Sequence, residues 1–404
     1  MPAESFRVAV HSDDYFPNIG GVASHVYELT SAVVEQGISA GVVTAKPAGD
    51  ARFVLKFHME PGPPPVLRLP RRLPIFTRYF GATYRAAVKK FLAAGGPSDM
   101  PVVSHCHWHQ PWWMTGCQAS VFTNHTSMFL QDVGRGRIEC WEQQLSVFDA
   151  VIAPSSELAQ ATIDLGVPAE RVTYIPNGVD SQRFKPNAAA RKSVRNKLGI
   201  AEDAIVLLCA RRIVAKNGVI DFAHSLRFVE QLVPPAYLSR LIVMIAGNRA
   251  ETRDSYQDET LDALSQTRLG RRAILLGRIP NDEIPEFFAA ADLSVLPSLK
   301  EATSIAGLEA MATGVPLVGT RVGGIPDLIT DKEDGLLVEH GNPPALAAAL
   351  ARMVNDSEMR RTMSERARHK ALIEFDWKTV AKRTVDVYQR ALEAAIEKRN
   401  REEK

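Results

Sequence analysis

LSVLPSLKEATSIAGLEAMATGVPLVGT, residues 293–320, reads as a short apolar strand, a loop, a helix and a second apolar run. The first run, Leu293–Leu296, is continuous in apolar character, as in a strand covered on both faces. A helix is predicted from Thr303 or Ser304, either of which can cap it, to Gly314, a residue suited to a left-handed stop. A further strand, 316–320, follows at once. Strand, helix and strand in this order make a crossover between parallel strands.

The same alternation runs outward in both directions. Strands are predicted at 6–12, 38–45, 66–69, 102–106, 120–124, 150–153 and 172–175, and then at 204–211, 241–247, 273–277, 293–296, 316–320 and 335–338. Helical stretches separate many of these runs, and the pattern occurs twice, so the fold class is α/β with two doubly wound domains. PNGVDSQRFKPNAAA, 176–190, concentrates Pro, Gly and Asn without apolar periodicity and holds the boundary. The expected domains are 1–180 and 181–376. The charged helix RKSVRNKLGI opens the second, and 391–404 reads as a solvated helix end or frayed tail.

Length and charge agree with this division. The chain has 404 residues, more than one core of roughly 100–200 residues usually serves. Lys+Arg 48 against Asp+Glu 46 leaves +2, which excludes a chain built to coat nucleic acid. Its four cysteines, Cys106, Cys117, Cys140 and Cys209, lack C-x-x-C spacing and suit reduced thiols of a cytoplasmic protein. The opening MPAESFRVAVHSDD is not patterned as a signal peptide, and runs such as LIVMIAG fall far short of the roughly 20 residues of a membrane span.

Chemistry concentrates around the helix of the opening stretch. Its first N–H groups face the carboxyl end of the preceding strand, where α/β proteins bind ligands, and make a phosphate site with the helix dipole. Glu301 precedes this helix, and Glu309 lies within it among apolar neighbours, where a carboxylate is costly without a partner. The two can bond hydroxyls on either side of a diphosphate. Gly20 and Gly21 open an amphipathic helix carrying Val22, Val26, Leu29 and Val33, and allow close approach of a phosphate or sugar. HCHWH, with His105, His107 and His109, has the donor types for a metal together with Cys117. No recognisable zinc spacing is present, so no metal site is assigned.

E-x7-E followed by A-M-A-x-G-x-P resembles the donor-site motif of glycosyltransferase family 4, retaining enzymes of the GT-B fold. PNIGGVASHV is similar to the family's glycine loop, VIAPSS and IPNGVD to its domain-junction landmarks, and ARRIVAKNG to its G-R-x-x-x-x-K-G segment. GGIPDLI and DGLLVEHGNP are similar to the family's segments after the second glutamate. The resemblance implies two Rossmann-like domains facing across a cleft, the first on the acceptor side and the second on the donor side. It also implies that the helix 377–404 returns to pack on the first.

By that resemblance Arg211 and Lys216 neutralise the donor diphosphate, a task suited to a guanidinium and an ammonium. Glu309 holds the ribose hydroxyls and Glu301 a hydroxyl of the sugar. Thr303, Ser304 and Ile305 offer backbone N–H groups, and Arg278, Gly20 and Gly21 complete the donor-binding set. His125 contacts the transferred sugar and, with Arg211, Lys216 and Glu301, makes up the catalytic set. A second helix N-terminus is expected at Gly323-Gly324. The chain departs from the family in Ala210 before Arg211, in Asn217 between Lys216 and Gly218, and in Thr303-Ser304 for a common Phe-Gly, which leaves the sugar open.

The implied activity is retaining transfer of a hexosyl group from a nucleotide-diphosphate sugar, UDP-linked in most members, to a glycan, lipid-linked or small-molecule hydroxyl. No cofactor or metal is expected, since cationic side chains offset the leaving charge. An epimerase of the same architecture and a non-catalytic nucleotide-sugar-binding subunit are the alternatives. RLPRRLPIFTRYFGATYRAAVKKFLAA, 68–94, mixes Arg and Lys with Phe and Tyr. Resting on anionic lipid, it would place the protein at the inner face of the membrane. HQPWWM, with Trp112 and Trp113, suits either sugar stacking or a core edge.

Overall fold

A computed structural model describes residues 6–17, 20–45, 58–60, 63–69, 88, 90–91, 100–107, 117–125, 139–247 and 255–402. Two compact units emerge: Met1–Gly178 with Trp377–Lys404, and Val179–Asp376. The segment 68–94 is described only at 68, 69, 88, 90 and 91, and HQPWWM with His109 lies outside the described residues.

The first unit holds strands β1 (Arg7–His11), β2 (Ser39–Ala45), β3 (His58–Glu60), β4 (Val66–Leu69), β5 (Val102–Cys106), β6 (Ala119–Thr123), β7 (Ala150–Ala153) and β8 (Val172–Tyr174). Their order in the sheet is β3-β4-β2-β1-β5-β6-β7-β8. All neighbours are parallel except β3, an antiparallel edge strand registering His58 against Arg68. Three residues carry too little pattern to be read as a strand, which is why the sequence does not announce β3. From β1 the chain builds one side through β2 and β4, then crosses to β5. The strand order therefore reverses between β1 and β5.

Val8 and Val10 of β1 are buried against Val26, Leu29 and Val33 of the helix Gly21–Glu35, the apolar stripe expected there. The helix Trp377–Glu402 contributes Val380, Val387, Tyr388 and Leu392 to the same core. Its last stretch is a solvated helix end over 396–402, as expected, but the positions before it are partly enclosed. Helix continues to Glu402, and Ala391, Leu392 and Ala395 are buried, because every third or fourth residue there is apolar beneath the charges.

The second unit holds β9 (Ile205–Cys209), β10 (Leu241–Ala246), β11 (Ile274–Gly277), β12 (Leu293–Leu296), β13 (Leu317–Thr320) and β14 (Gly335–Val338), ordered β11-β10-β9-β12-β13-β14 and parallel throughout. Its order reverses between β9 and β12. The charged helix after the boundary spans Ala188–Lys197, and it is not simply solvated. Arg195 is 3% exposed and donates to the carbonyls of Ala201, Glu202, Ala204 and Ala290 and to Asp292. A buried guanidinium is tolerable only with its donors satisfied in this way.

Candidate active site

In the second unit the expected residues gather at the carboxyl ends of β9 and β12, the strands flanking the reversal. Ligands bind at such points because the loops diverge there and leave a crevice. Arg211 lies two residues beyond β9. Its guanidinium is ion-paired with Glu301, on the loop after β12, and its Nη2 donates to Ser298 Oγ at 2.9 Å and Asn217 Oδ1 at 3.1 Å. Arg211 Nε is buried and has no acceptor among the described residues.

These loops are knitted together by backbone. The carbonyl of Lys216, on the 3₁₀ turn Ala215–Asn217, accepts from Leu299 N at 2.9 Å and Lys300 N at 3.1 Å. Gly218 has φ 63°, and a Cβ there would lie 1.9 Å from the carbonyl oxygen of Pro297. Gly323, at φ 54°, would place a Cβ 1.6 Å from the carbonyl oxygen of Glu301. Only glycine allows both the left-handed backbone and this approach. The Lys216 side chain is exposed.

The helix after β12 spans Ile305–Thr313. Ser304 is its cap, in extended conformation with Oγ accepting from Gly307 N at 3.2 Å, and Gly314 ends it at φ 77°. The first-turn N–H groups have no acceptor within the helix. Thr303, beside them, has a buried hydroxyl that makes no hydrogen bond among the described residues. Glu309 is partly open to solvent, yet burial of its carboxyl raises the pKa to about 8, against the opposing effect of Arg183. The turn expected at Gly323-Gly324 leads into a helix of a single turn, Ile325–Leu328. Arg278 is exposed past β11, at the far edge of the sheet, and among the described residues makes no hydrogen bond to Arg211 or Glu301.

The first unit presents a different cluster at its own reversal. Gly20 is the extended N-cap residue of Gly21–Glu35, with φ −165°. His107 follows β5, His125 follows β6, and His25 projects from the helix after β1. His107 Nδ1 and His125 Nε2 are 2.8 Å apart, with the rings stacked at 5.0 Å. The His25 ring lies 4.4 Å from that of His125 and 5.3 Å from that of His107. His105 differs, since Nδ1 meets the Tyr388 hydroxyl and Nε2 the Thr123 hydroxyl, each at 2.6 Å. Burial depresses His25 to about 4 and His105 to about 3, and holds His107 and His125 well below the ordinary histidine range. Neutral imidazoles result, able to accept or donate a hydrogen bond but carrying no charge at neutral pH.

Sequence reading missed Ser298, Asn217 and His25. The first two are common polar residues whose roles come from loop packing. For His25 a signal exists: it stands four residues before Leu29, on the buried side of its helix.

Residues 190–370 match the family described as Glycosyl transferases group 1, and residues 19–183 match Glycosyltransferase Family 4. A D-inositol 3-phosphate glycosyltransferase of Geodermatophilus obscurus is 29% identical, over 94% of this chain and 85% of the relative. One from Thermobispora bispora is 27% identical, over 93% and 90%. Among solved structures, Anabaena Alr3699/HepE in complex with UDP has a TM-score of 0.76 at 18% identity, covering 95% of this chain and 100% of that one. Sucrose-phosphate synthase of Thermosynechococcus elongatus gives 0.74 at 21%, covering 96% and 100%. Among the described residues no helix is long and apolar enough to cross a membrane. With both halves matched and both sheets doubly wound, the chain belongs to glycosyltransferase family 4 and has the GT-B fold.

Proposed function

We propose that the protein transfers a hexosyl group from a nucleotide-diphosphate sugar, UDP-linked, to an acceptor hydroxyl with retention of configuration. The observation carrying this reading is the Arg211–Glu301 pair at the reversal of the second sheet, beside the Ser304-capped helix. A cation, a carboxylate and a helix N-terminus at one crevice suit a diphosphate bearing a sugar. Arg211, Lys216 and the N–H groups of 303–305 offset the charge growing on the leaving diphosphate, Glu301 bonds a sugar hydroxyl, and Glu309 the ribose. The glycosidic bond to the diphosphate breaks as the acceptor oxygen bonds the anomeric carbon on the same face. The acceptor proton passes to the departing phosphate. His125 serves as a neutral hydrogen-bond partner of the transferred sugar, and no resident metal is required.

The names of the relatives support a small polyol phosphate as acceptor. A panel of nucleotide sugars, offered with inositol phosphates, glycans and lipid-linked sugars and read by mass spectrometry, tests both halves of the proposal. Donor hydrolysis or transfer supports it. Binding without turnover of any donor points to a non-catalytic nucleotide-sugar-binding subunit.

A further inference from the structure

The histidine cluster of the first unit has the makings of a second ligand site. His25, His107 and His125 each bring one ring nitrogen into a group whose members all lie within 4.8 Å of one another. His25 projects from the helix Gly21–Glu35, while His107 and His125 stand just after the neighbouring parallel strands β5 and β6, which bring them together. His25 is 5% exposed, and neither ring nitrogen makes a well-formed hydrogen bond among the described residues, although the Asn177 side chain lies close enough to act on the ring. His107 Nε2 is also without a partner among the described residues, whereas its Nδ1 faces His125 Nε2 at 2.8 Å, a contact that a shared ion would replace. Polar atoms buried without partners are costly, by about 1–3 kcal/mol each, and an arrangement that keeps them calls for something to satisfy them.

The chemistry of the donors limits what that is. Among the described residues no carboxylate or thiolate joins the group. Three imidazole nitrogens suit Zn²⁺, Co²⁺, Ni²⁺ or Cu²⁺, whereas Mg²⁺ and Ca²⁺ require oxygen. Zn–N bonds of about 2.0–2.1 Å set tetrahedral ligand nitrogens about 3.4 Å apart. The 2.8 Å His107–His125 separation and the 4.8 Å limit of the group bracket that value. His105 is excluded as a ligand because Tyr388 and Thr123 occupy both of its nitrogens.

We propose that His25, His107 and His125 bind one divalent ion of the zinc class, leaving a fourth position open. Occupation engages His125 and so inhibits sugar transfer. That inhibition rests on the function proposed above, whereas binding does not.

Tag-free, metal-stripped protein titrated with Co²⁺ should develop visible d–d absorption that saturates at one ion per chain, and Zn²⁺ should abolish it. Zn²⁺ should also be drawn from a chromophoric chelator with the same stoichiometry, while Mg²⁺ has no effect on either readout. His25→Gln and His125→Gln should weaken binding at least about tenfold. His340→Gln, an exposed histidine of the other unit, should bind as wild type. Should the buried variants fail to fold, the intensity of the wild-type Co²⁺ band still distinguishes a four-coordinate site from weakly held octahedral ion. Absence of a saturable band, or wild-type binding by a folded His25→Gln variant, overturns the site. Normal binding without inhibition of transfer by Zn²⁺ overturns only the inhibitory role.

Discussion

Arg211 and Glu301, ninety positions apart in the chain, neutralise one another at the carboxyl ends of two adjacent strands. Both side chains are largely buried, at 11% and 13% exposure, so neither charge is left to water alone. A diphosphate entering here competes with a carboxylate for the same guanidinium. Glu301→Gln should therefore tighten UDP binding several-fold while cutting transfer at least about tenfold, because the sugar loses its carboxylate contact. Calorimetry with UDP and steady-state kinetics give the two readings, and weaker UDP binding in this variant contradicts the competition.

Lys216 is exposed, and its backbone carbonyl rather than its side chain ties the loops together. Lys216→Ala should leave thermal unfolding nearly unchanged and lower kcat/KM at least about tenfold, a loss near 1.4 kcal/mol. Wild-type turnover would remove it from the donor site.

Glu309 adds a pH dependence with a defined sign. Its carboxyl holds a proton more tightly in the folded chain, up to about 8, than in the unfolded chain. Its contribution to stability is complete below about pH 4.3 and is lost as pH rises through 8. The slope is at most about 1.4 kcal/mol per pH unit, and partial solvent access reduces it. Glu309→Gln should melt above wild type at pH 9, converge with it near pH 5, and lose at least about tenfold in transfer at either pH. Parallel melting curves across this range would contradict the assignment.

The buried histidines act in the opposite sense. His11 and His105 are held near 3 and His25 near 4, so the unfolded chain binds protons that the folded first unit refuses. Stability should fall as pH drops from about 6.5 towards 4, by up to about 1.4 kcal/mol per pH unit for each histidine. Circular dichroism melts at pH 7, 6, 5 and 4.5 measure this, and a flat response refutes it.

Gly323→Ala introduces a methyl group where the Glu301 carbonyl already stands. The left-handed backbone alone costs roughly 1–2 kcal/mol, and the collision displaces the loop bearing Glu301. Transfer should drop at least about tenfold with a lower melting temperature. Gly37→Ala, at φ 83° with open space around it, should lower stability without touching transfer.

Strands such as Leu293–Leu296 and Ala150–Ala153 are legible in the sequence because burial on both faces writes itself as an unbroken apolar run. Ser304 and Gly314 are legible as helix punctuation for equally local reasons. Arg195 is not, since its partners are carbonyls and the Asp292 carboxylate brought to it by packing, and a basic residue in a charged helix looks the same whether solvated or enclosed. The Arg211–Glu301 pair lies between these cases. Each residue stands out in its own motif, but their mutual neutralisation depends on β9 and β12 being neighbours, which requires the sheet order. The histidine triad needs three elements at once, and of its members only His107 belongs to the alternating histidine row.

The first unit is closed by residues made only after the whole of the second unit. Val380, Tyr388 and Leu392 fill a core begun by Phe6 and Val8, whereas the second unit is continuous from Val179 to Asp376. Nascent chains generally fold from the amino end onward, but here the second unit can complete its sheet while the first still lacks a wall. A chain cut short before Trp377 thus holds a finished second unit tethered to a first unit without its closing helix. Completion of the first unit therefore waits on the helix Trp377–Glu402, made only after the whole of the second unit.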